Sequence, residues 1–344
     1  MKMFARRTAL ALSLCAPFAL AGVGQAQAQA AAPAPTSGFA PAPTPIKMIG
    51  FGGATNIPVW VALDKGFFAK EGLAVTLDRT AGSKEQIADI MSGKYQFATS
   101  AFDNIVAYTD GQGATKFDDF DIVAVLGVHS GLNSVLVRPE IKTYADLKGK
   151  TVAVDAVASG YATVLYQILK NKGLEKDKDY KIISVGGTEG RVKALKDGTA
   201  QVAIISSPQD KDLEKEGFKI LDDAAAAIGD YQGSAYVVRK SWAKAHEKEM
   251  MALVRAVIAA QNYVFDNKAG AIEVLKARTK GLTDAEADAL YQRLTGPGGL
   301  SRNAELNPKG VEMVLKLRSV YGNASPSSPA KYIDTSYQDR VRGK

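Results

Sequence analysis

Two stretches of this chain match at a constant offset of 105 residues, and that internal echo limits the possible fold more than any other feature. The run AGSKEQIADIMSGKYQFATSAFD, starting at Ala81, sets against GGTEGRVKALKDGTAQVAIISSPQD, starting at Gly186. Ile87 matches Val192, Ile90 matches Leu195, Gly93 matches Gly198, Gln96 matches Gln201, Phe97 matches Val202 and Ala98 matches Ala203. Each copy places apolar residues three or four apart, then a glycine, then a short apolar run. That is the pattern of an amphipathic helix, a left-handed stop and a strand. Two such units predict two similar α/β lobes, with strand-end loops and helix starts facing each other across a cleft.

Taken in order, a strand is expected over 46–51, then a Gly-rich loop over 52–56 and a helix opened by Pro58, with Thr55 or Asn56 as its cap. Gly66 can stop that helix, and a strand follows over 73–77. Ser83 and Gln86 have the spacing of a capping box. A strand over 95–99 leads into a helix capped by Ser100 and Asp103. Further strands are expected over 122–128, 134–137, 151–154, 181–185, 218–221 and 236–239, with a helix after 154 capped by Ser159. Strands alternating with helices predict parallel sheets with crossover helices. Beyond Ser241 the chain reads as helical, with Thr283 and Glu286 capping one helix and Asn307 and Pro308 opening another. No strand partner accompanies these helices, which should cover the first lobe. The fold class is therefore α/β, two lobes, each a mostly parallel sheet with flanking helices, plus extra C-terminal helices.

The N-terminus carries its own signal. Arg6 and Arg7 precede an apolar run over 9–23 and the small-residue stretch AQAQAQA, which predicts a cleaved secretory signal peptide over 1–30. The alternating Ala and Pro of 31–45 predict an extended linker. Cys15, the single cysteine, would leave with the signal peptide, which excludes disulfides, thiolate metal sites and cysteine nucleophiles from the mature chain. The net charge is +7, three of it from Lys2, Arg6 and Arg7, and basic residues elsewhere are interspersed with acids as in LEKDKDYK. Such mixing argues against nucleic acid as a partner. GFGGATN lacks the third glycine of a dinucleotide fingerprint, Thr55 standing in its place. Only His129 and His246 are available as histidine ligands, so neither a metal nor a cofactor is expected.

Four separated segments, PVWVALDKGFFAKEGLAVTL over 58–77, SGKYQFATSAFDN over 92–104, TYADLKGKTVAV over 143–154 and YIDTSY over 332–337, together resemble periplasmic substrate-binding proteins of ABC importers of the nitrate, sulfonate and taurine type, a superfamily that includes binders of thiamine precursors. The resemblance implies a type II periplasmic-binding-protein fold with hinge strands near 134–138 and 236–239. Lobe 1 would hold 46–137 plus 236–344, and lobe 2 would hold 138–235. It implies a monomer in the periplasm that is not an enzyme, closes over a small organic anion such as a sulfonate or carboxylate, and delivers it to an ABC permease in the inner membrane. Two readings stand beside it, an enzyme on the same fold acting on a pyrimidine or cofactor precursor and a ligand-presenting sensory partner. Gln96 and Gln201 depart from the family pattern, which has Asp at both places.

The cleft should be built by the loops at strand C-termini, 52–56, 100–104, 129–133, 159–163, 186–191 and 206–209. Helix starts there favour an anion through unpaired N–H groups and the macrodipole. The candidate ligand-binding residues are Gly53, Thr55, Asn56, Ser100, Phe102, Asp103, His129, Ser130, Ser159, Gly160, Tyr161, Thr188, Arg191 and Ser207. Arg191 is the guanidinium placed for bidentate pairing with a carboxylate or sulfonate, a surface role being at least an equal alternative. Each serine is equally suited to cap its own helix. Phe102 and Tyr161 are expected to stack on an organic ligand, while Phe51 and Trp60 face either the cleft or, by preference, the core.

Overall fold

A computed structural model describes residues 42–322, 325 and 328–343; the expected signal peptide and most of the expected linker lie outside the described residues. Strand β1, Thr44–Gly50, begins before the expected end of the linker at 45. Pro45 is tolerated because β1 meets its second neighbour only at Met48 and Ile49, so the missing N–H falls where one side of the strand is unpaired.

The strands that follow are β2, Leu73–Arg79, β3, Phe97–Ala101, β4, Ile122–His129, β5, Asn133–Val137, β6, Thr151–Val154, β7, Lys181–Ser184, β8, Val202–Ser206, β9, Lys219–Asp223, and β10, Ser234–Arg239. They form two five-stranded sheets of order β2-β1-β3-β10-β4 and β7-β6-β8-β5-β9. The orders are the same when the repeat is superposed. In each sheet the fourth strand runs antiparallel to both neighbours, β10 against β3 and β4, β5 against β8 and β9.

Those two strands are exchanged. β5 leaves the first sheet directly after β4 and inserts in the second, and β10 makes the return journey. Gly131, at φ +118°, turns the chain out of β4, and the Asn133 N–H closes the turn on the Gly131 carbonyl at 2.9 Å. The strands expected at 134–138 and 236–239 are thus inner members of two sheets.

The repeat survives in three dimensions. The helices Ser83–Met91 and Thr188–Lys196 lie 105 residues apart at both ends, as do β3 and β8. Gln96 accepts from the Lys47 N–H at 2.9 Å and donates to the Gly93 carbonyl at 3.1 Å; Gln201 accepts from the Thr151 N–H at 3.0 Å and donates to the Gly198 carbonyl at 3.0 Å. Both amides pin a helix-terminating glycine to a neighbouring strand, β1 in one sheet and β6 in the other. Ser83 and Gln86 do not form the expected capping box, because Gln86 is fully buried and donates instead to the Thr99 carbonyl of β3 at 3.0 Å.

Thr283 and Glu286 do form one, and Asn307 caps the helix Pro308–Tyr321 through the Gly310 N–H at 3.1 Å. The long helix Glu247–Asp266 buries Leu253, Val254 and Val257 in one cluster with Val59 and Val61 of the helix Ile57–Asp64 and with Tyr236 of β10. A second apolar cluster joins both sheets through the helices Phe102–Thr109, Gly160–Asn171 and Pro308–Tyr321. Leu165, Ile168 and Leu169 are almost fully buried there, each contributing about 1.5–3 kcal/mol.

Candidate functional site

The C-terminal ends of β1, β3, β6 and β8 converge on a cavity of about 80 Å³ between the sheets. Its wall is Phe51, Gly52 and Thr55 after β1, Ala101 and Asn104 after β3, His129, Leu132 and Asn133 at the crossing, Asp155, Ser159, Gly160 and Tyr161 after β6, Gly187, Thr188 and Arg191 after β7, Ser206 of β8 and Ser234 of β10. Every loop expected to face the cleft supplies at least one of them.

Arg191 sits in the first turn of the helix Thr188–Lys196. A side chain at Gly190 would collide with the Val185 carbonyl, since a Cβ there would stand 1.8 Å from it, so glycine lets the helix start press against the end of β7. Arg191 is 7% exposed. One Nη donates to Thr188 Oγ1 at 3.1 Å, Nε is buried without a partner, and among the described residues the guanidinium has no ion pair. Burial lowers its pKa, against the attraction of Asp155 and Tyr161. A buried cation without a counter-ion is costly, and the missing charge is one that a ligand can supply.

The other polar groups are mostly donors. His129 ends β4 and is 4% exposed; its Nδ1 accepts the Gly131 N–H at 3.0 Å, so the neutral ring carries its proton on Nε2. Burial pulls its pKa from 6.5 to about 4, so it remains neutral at ordinary pH. Asn133 Oδ1 accepts the Ser206 hydroxyl at 2.7 Å, which turns the amide's donor end elsewhere. Burial raises the Tyr161 phenol to about 12, opposed by hydrogen bonds with Asn133 and Ser234, and its ring tilts against Tyr231 at 6.0 Å. Ser159 accepts the Ala162 N–H at 3.4 Å as a helix cap and gives its own proton to Asp155 Oδ1. Asp155 is the one carboxylate on the wall.

Several expected site residues stand away from this wall. Asn56 turns its amide back to the Phe51 and Gly53 carbonyls, and Gly53, at φ +125°, faces the Ser207 carbonyl in an adjoining part of the cleft. Ser100 is buried beneath Asn104, whose amide donates to it at 3.5 Å. Phe102 belongs to the apolar core, and Asp103 is fully buried in a two-point ion pair with Arg318, one bond of which measures 2.6 Å. Ser207 donates to Asp210 at 2.7 Å and accepts from Arg293 Nε at 3.1 Å, while the Ser130 N–H is spent on the Gly299 carbonyl. Conversely Phe51, expected in the core, faces the cavity, and Asn104, Asn133, Asp155 and Ser234 line it without having been singled out. Asn104 and Phe102 exchange roles because a helix turns about 100° per residue, so two positions on, the face is reversed. Asp155 had a usable signal, a carboxylate at the end of a strand and four residues before the serine that caps the next helix.

At the rim, Arg79 of β2 meets Glu189 across the opening at 2.6 Å, an exposed pair worth little energetically. On the far side Arg293, from the helix Asp284–Thr295, reaches Asp223 of β9 at 2.8 Å and the hydroxyl of Ser134 of β5 at 3.4 Å. Among the described residues no three of His, Cys, Asp and Glu stand together as metal ligands would, and no helix is long and apolar enough to cross a membrane.

The family model described as "NMT1/THI5 like" matches residues 54–271. A binding protein of Bacillus subtilis, YtlA, is 24% identical over 281 residues, 79% of this chain and 81% of its own. A 4-amino-5-hydroxymethyl-2-methylpyrimidine phosphate synthase of Uromyces fabae is 26% identical over 233 residues, 62% of this chain and 64% of its own. The alkanesulfonate-binding protein SsuA of Xanthomonas axonopodis pv. citri, solved with MOPS bound, superposes with a TM-score of 0.67 at 16% identity, covering 85% of this chain and 98% of that one. The fold is that of the periplasmic binding proteins.

Proposed function

This chain belongs to the NMT1/THI5-like family, and from that premise we propose that it is the solute-binding component of an ABC importer, capturing a small organic anion in the cavity between its sheets. The observation that carries the reading is Arg191, buried, unpaired and on the cavity wall. Around it stand the Nε2 proton of His129, the amides of Asn104 and Asn133, and the helix start at Gly187 and Thr188, an array of donors suited to a sulfonate or carboxylate. Phe51 and Tyr161 offer ring surface to the organic part of the ligand. The alkanesulfonate-binding neighbour and the binding-protein relative support the same class of function. The synthase relative marks the enzymatic alternative, which the cavity does not favour over binding by any feature of its own.

In this reading the two sheets with their helices move as lobes, 46–137 plus 236–344 and 138–235 as expected from the sequence except that β5 travels with the second. The exchanged strands β5 and β10 flex at the crossings, and the closed form is delivered to a membrane permease from the periplasm by a monomer. The test is thermal unfolding of the mature protein with donor-free anions (methanesulfonate, acetate, benzoate and nitrate) and with donor-bearing ones (2-hydroxyethanesulfonate and 3-hydroxypropanoate). Ligand at about 1,000 times its dissociation constant should stabilise the fold by about 4 kcal/mol. No shift with any anion, together with turnover of a pyrimidine, would replace this reading by the enzymatic one.

A further inference from the structure

Asp155 and Arg191 line the same small cavity, yet they form no ion pair with each other. Each is held back by its own neighbour. Arg191 is tied to Thr188 at 3.1 Å, and one oxygen of Asp155 is tied to the hydroxyl of Ser159, which is in turn fixed as a helix cap. No donor among the described residues reaches the other Asp155 oxygen. The site therefore presents two separated and opposite requirements, an anion for the guanidinium and a proton donor for the carboxylate.

Resting on the function proposed above, we propose that Asp155 makes the site select small sulfonates or carboxylates that also carry an O–H or N–H donor, and reject donor-free anions of equal size. The anionic end sits on Arg191 and the donor end on the free oxygen of Asp155. A bare anion satisfies Arg191 but leaves the half-buried carboxylate of Asp155 facing a second negative charge across the same small cavity, with no donor between them. A site whose polar group is left unpaired by the wrong ligand discriminates far more strongly than one that merely misses an apolar contact. The cavity volume of about 80 Å³ limits the ligand to a small molecule.

The experiment is calorimetric titration of the mature protein with matched probes of equal size: propane-1-sulfonate against 2-hydroxyethanesulfonate and the zwitterion 2-aminoethanesulfonate, butanoate against 3-hydroxypropanoate and the zwitterion 3-aminopropanoate, and sulfate as the bare dianion. Donor-bearing members should bind at least about tenfold tighter than their isosteres, the scale of a hydrogen bond to a charged group. In Asp155→Asn, which keeps an acceptor for Ser159, the gap should shrink severalfold because the bare anions gain and the donors lose. Ser159→Ala, which keeps the charge, should preserve the preference, with melting curves confirming that both variants are folded. Equal affinities within each wild-type pair overturn this inference and leave the function standing. A uniform loss for all probes in Asp155→Asn overturns it too, reducing Asp155 to an anchor for the Ser159 cap. If no probe binds the wild type, the organic-anion reading falls with it.

Discussion

Arg191 shows how much a single side chain can reveal when its surroundings are incomplete. Removing it should weaken anion binding by on the order of a hundredfold, about 3 kcal/mol for a lost bond between charged partners, while the ligand-free protein melts no lower, because Arg191→Ala also removes an uncompensated buried charge. Titration of an anion and melting of the free protein check both halves. His129 makes a separate prediction about pH. Its folded pKa of about 4 lies below the ordinary 6.5, so between those values the unfolded chain holds a proton that the folded chain refuses. Stability on its account is complete above pH 6.5 and drains away as the pH falls towards 4, by about 3 kcal/mol in total. Urea unfolding at several pH values should show that slope in the wild type and its absence in His129→Gln. Individual side-chain directions were the least legible part of the sequence. Helix starts and strand ends point to the right loops, but whether Phe102 or Asn104 faces the cavity depends on where the helix begins, and a one-residue uncertainty reverses the answer.

At the level of elements the sequence was far more readable, because a helix-glycine-strand unit leaves both a periodicity and a punctuation mark. The offset of 105 residues places two helices and two strands at matching positions. Gln96 and Gln201 play the same part in each copy of this unit. Each amide both accepts from and donates to backbone, and neither lines the cavity. Gln96→Ala and Gln201→Ala should each cost about 1–2 kcal/mol, adding nearly fully in the double variant since the sites lie in different sheets, with ligand affinity unchanged. Gln201→Asp should cost less than Gln201→Ala, because a carboxylate keeps the acceptor and loses only the donor. Denaturant midpoints and one binding isotherm decide this, and a fall in affinity would mean that the turn shapes the cleft. The failed capping box at Ser83 marks the limit of such reading: the spacing is right, but Gln86 lies on the buried face, where a strand carbonyl competes for its amide. The two crossings were implied by the resemblance, but the pairing of β5 inside the second sheet was hidden, since pairing partners far apart in the chain leave no local trace.

For the whole molecule the question is what holds the two sheets at this separation. Three helices, Phe102–Thr109, Gly160–Asn171 and Pro308–Tyr321, carry one apolar cluster from sheet to sheet, so the sheets share a core on that side, about which the proposed lobe motion would have to turn. At its inner edge Gly160, on the cavity wall, packs against Asp103, and a Cβ at Gly160 would come within 2.5 Å of the Asp103 Cβ. Asp103 cannot retreat, being fully buried and held at two points by Arg318. Gly160→Val should therefore hold the lobes apart. Scattering from the ligand-free variant should give a larger radius of gyration than the wild type, and anion affinity should fall at least tenfold, because the Arg191 side of the cavity is withdrawn from the Phe51 side. Breaking the Asp103 and Arg318 pair instead, as in Arg318→Met, should cost about 3–5 kcal/mol of stability by stranding a buried carboxylate. The two variants separate hinge from core: if Gly160→Val lowers stability as Arg318→Met does and leaves the radius unchanged, the contact is static packing and closure must turn on another point, such as Arg293 and its bonds to Asp223 and Ser134.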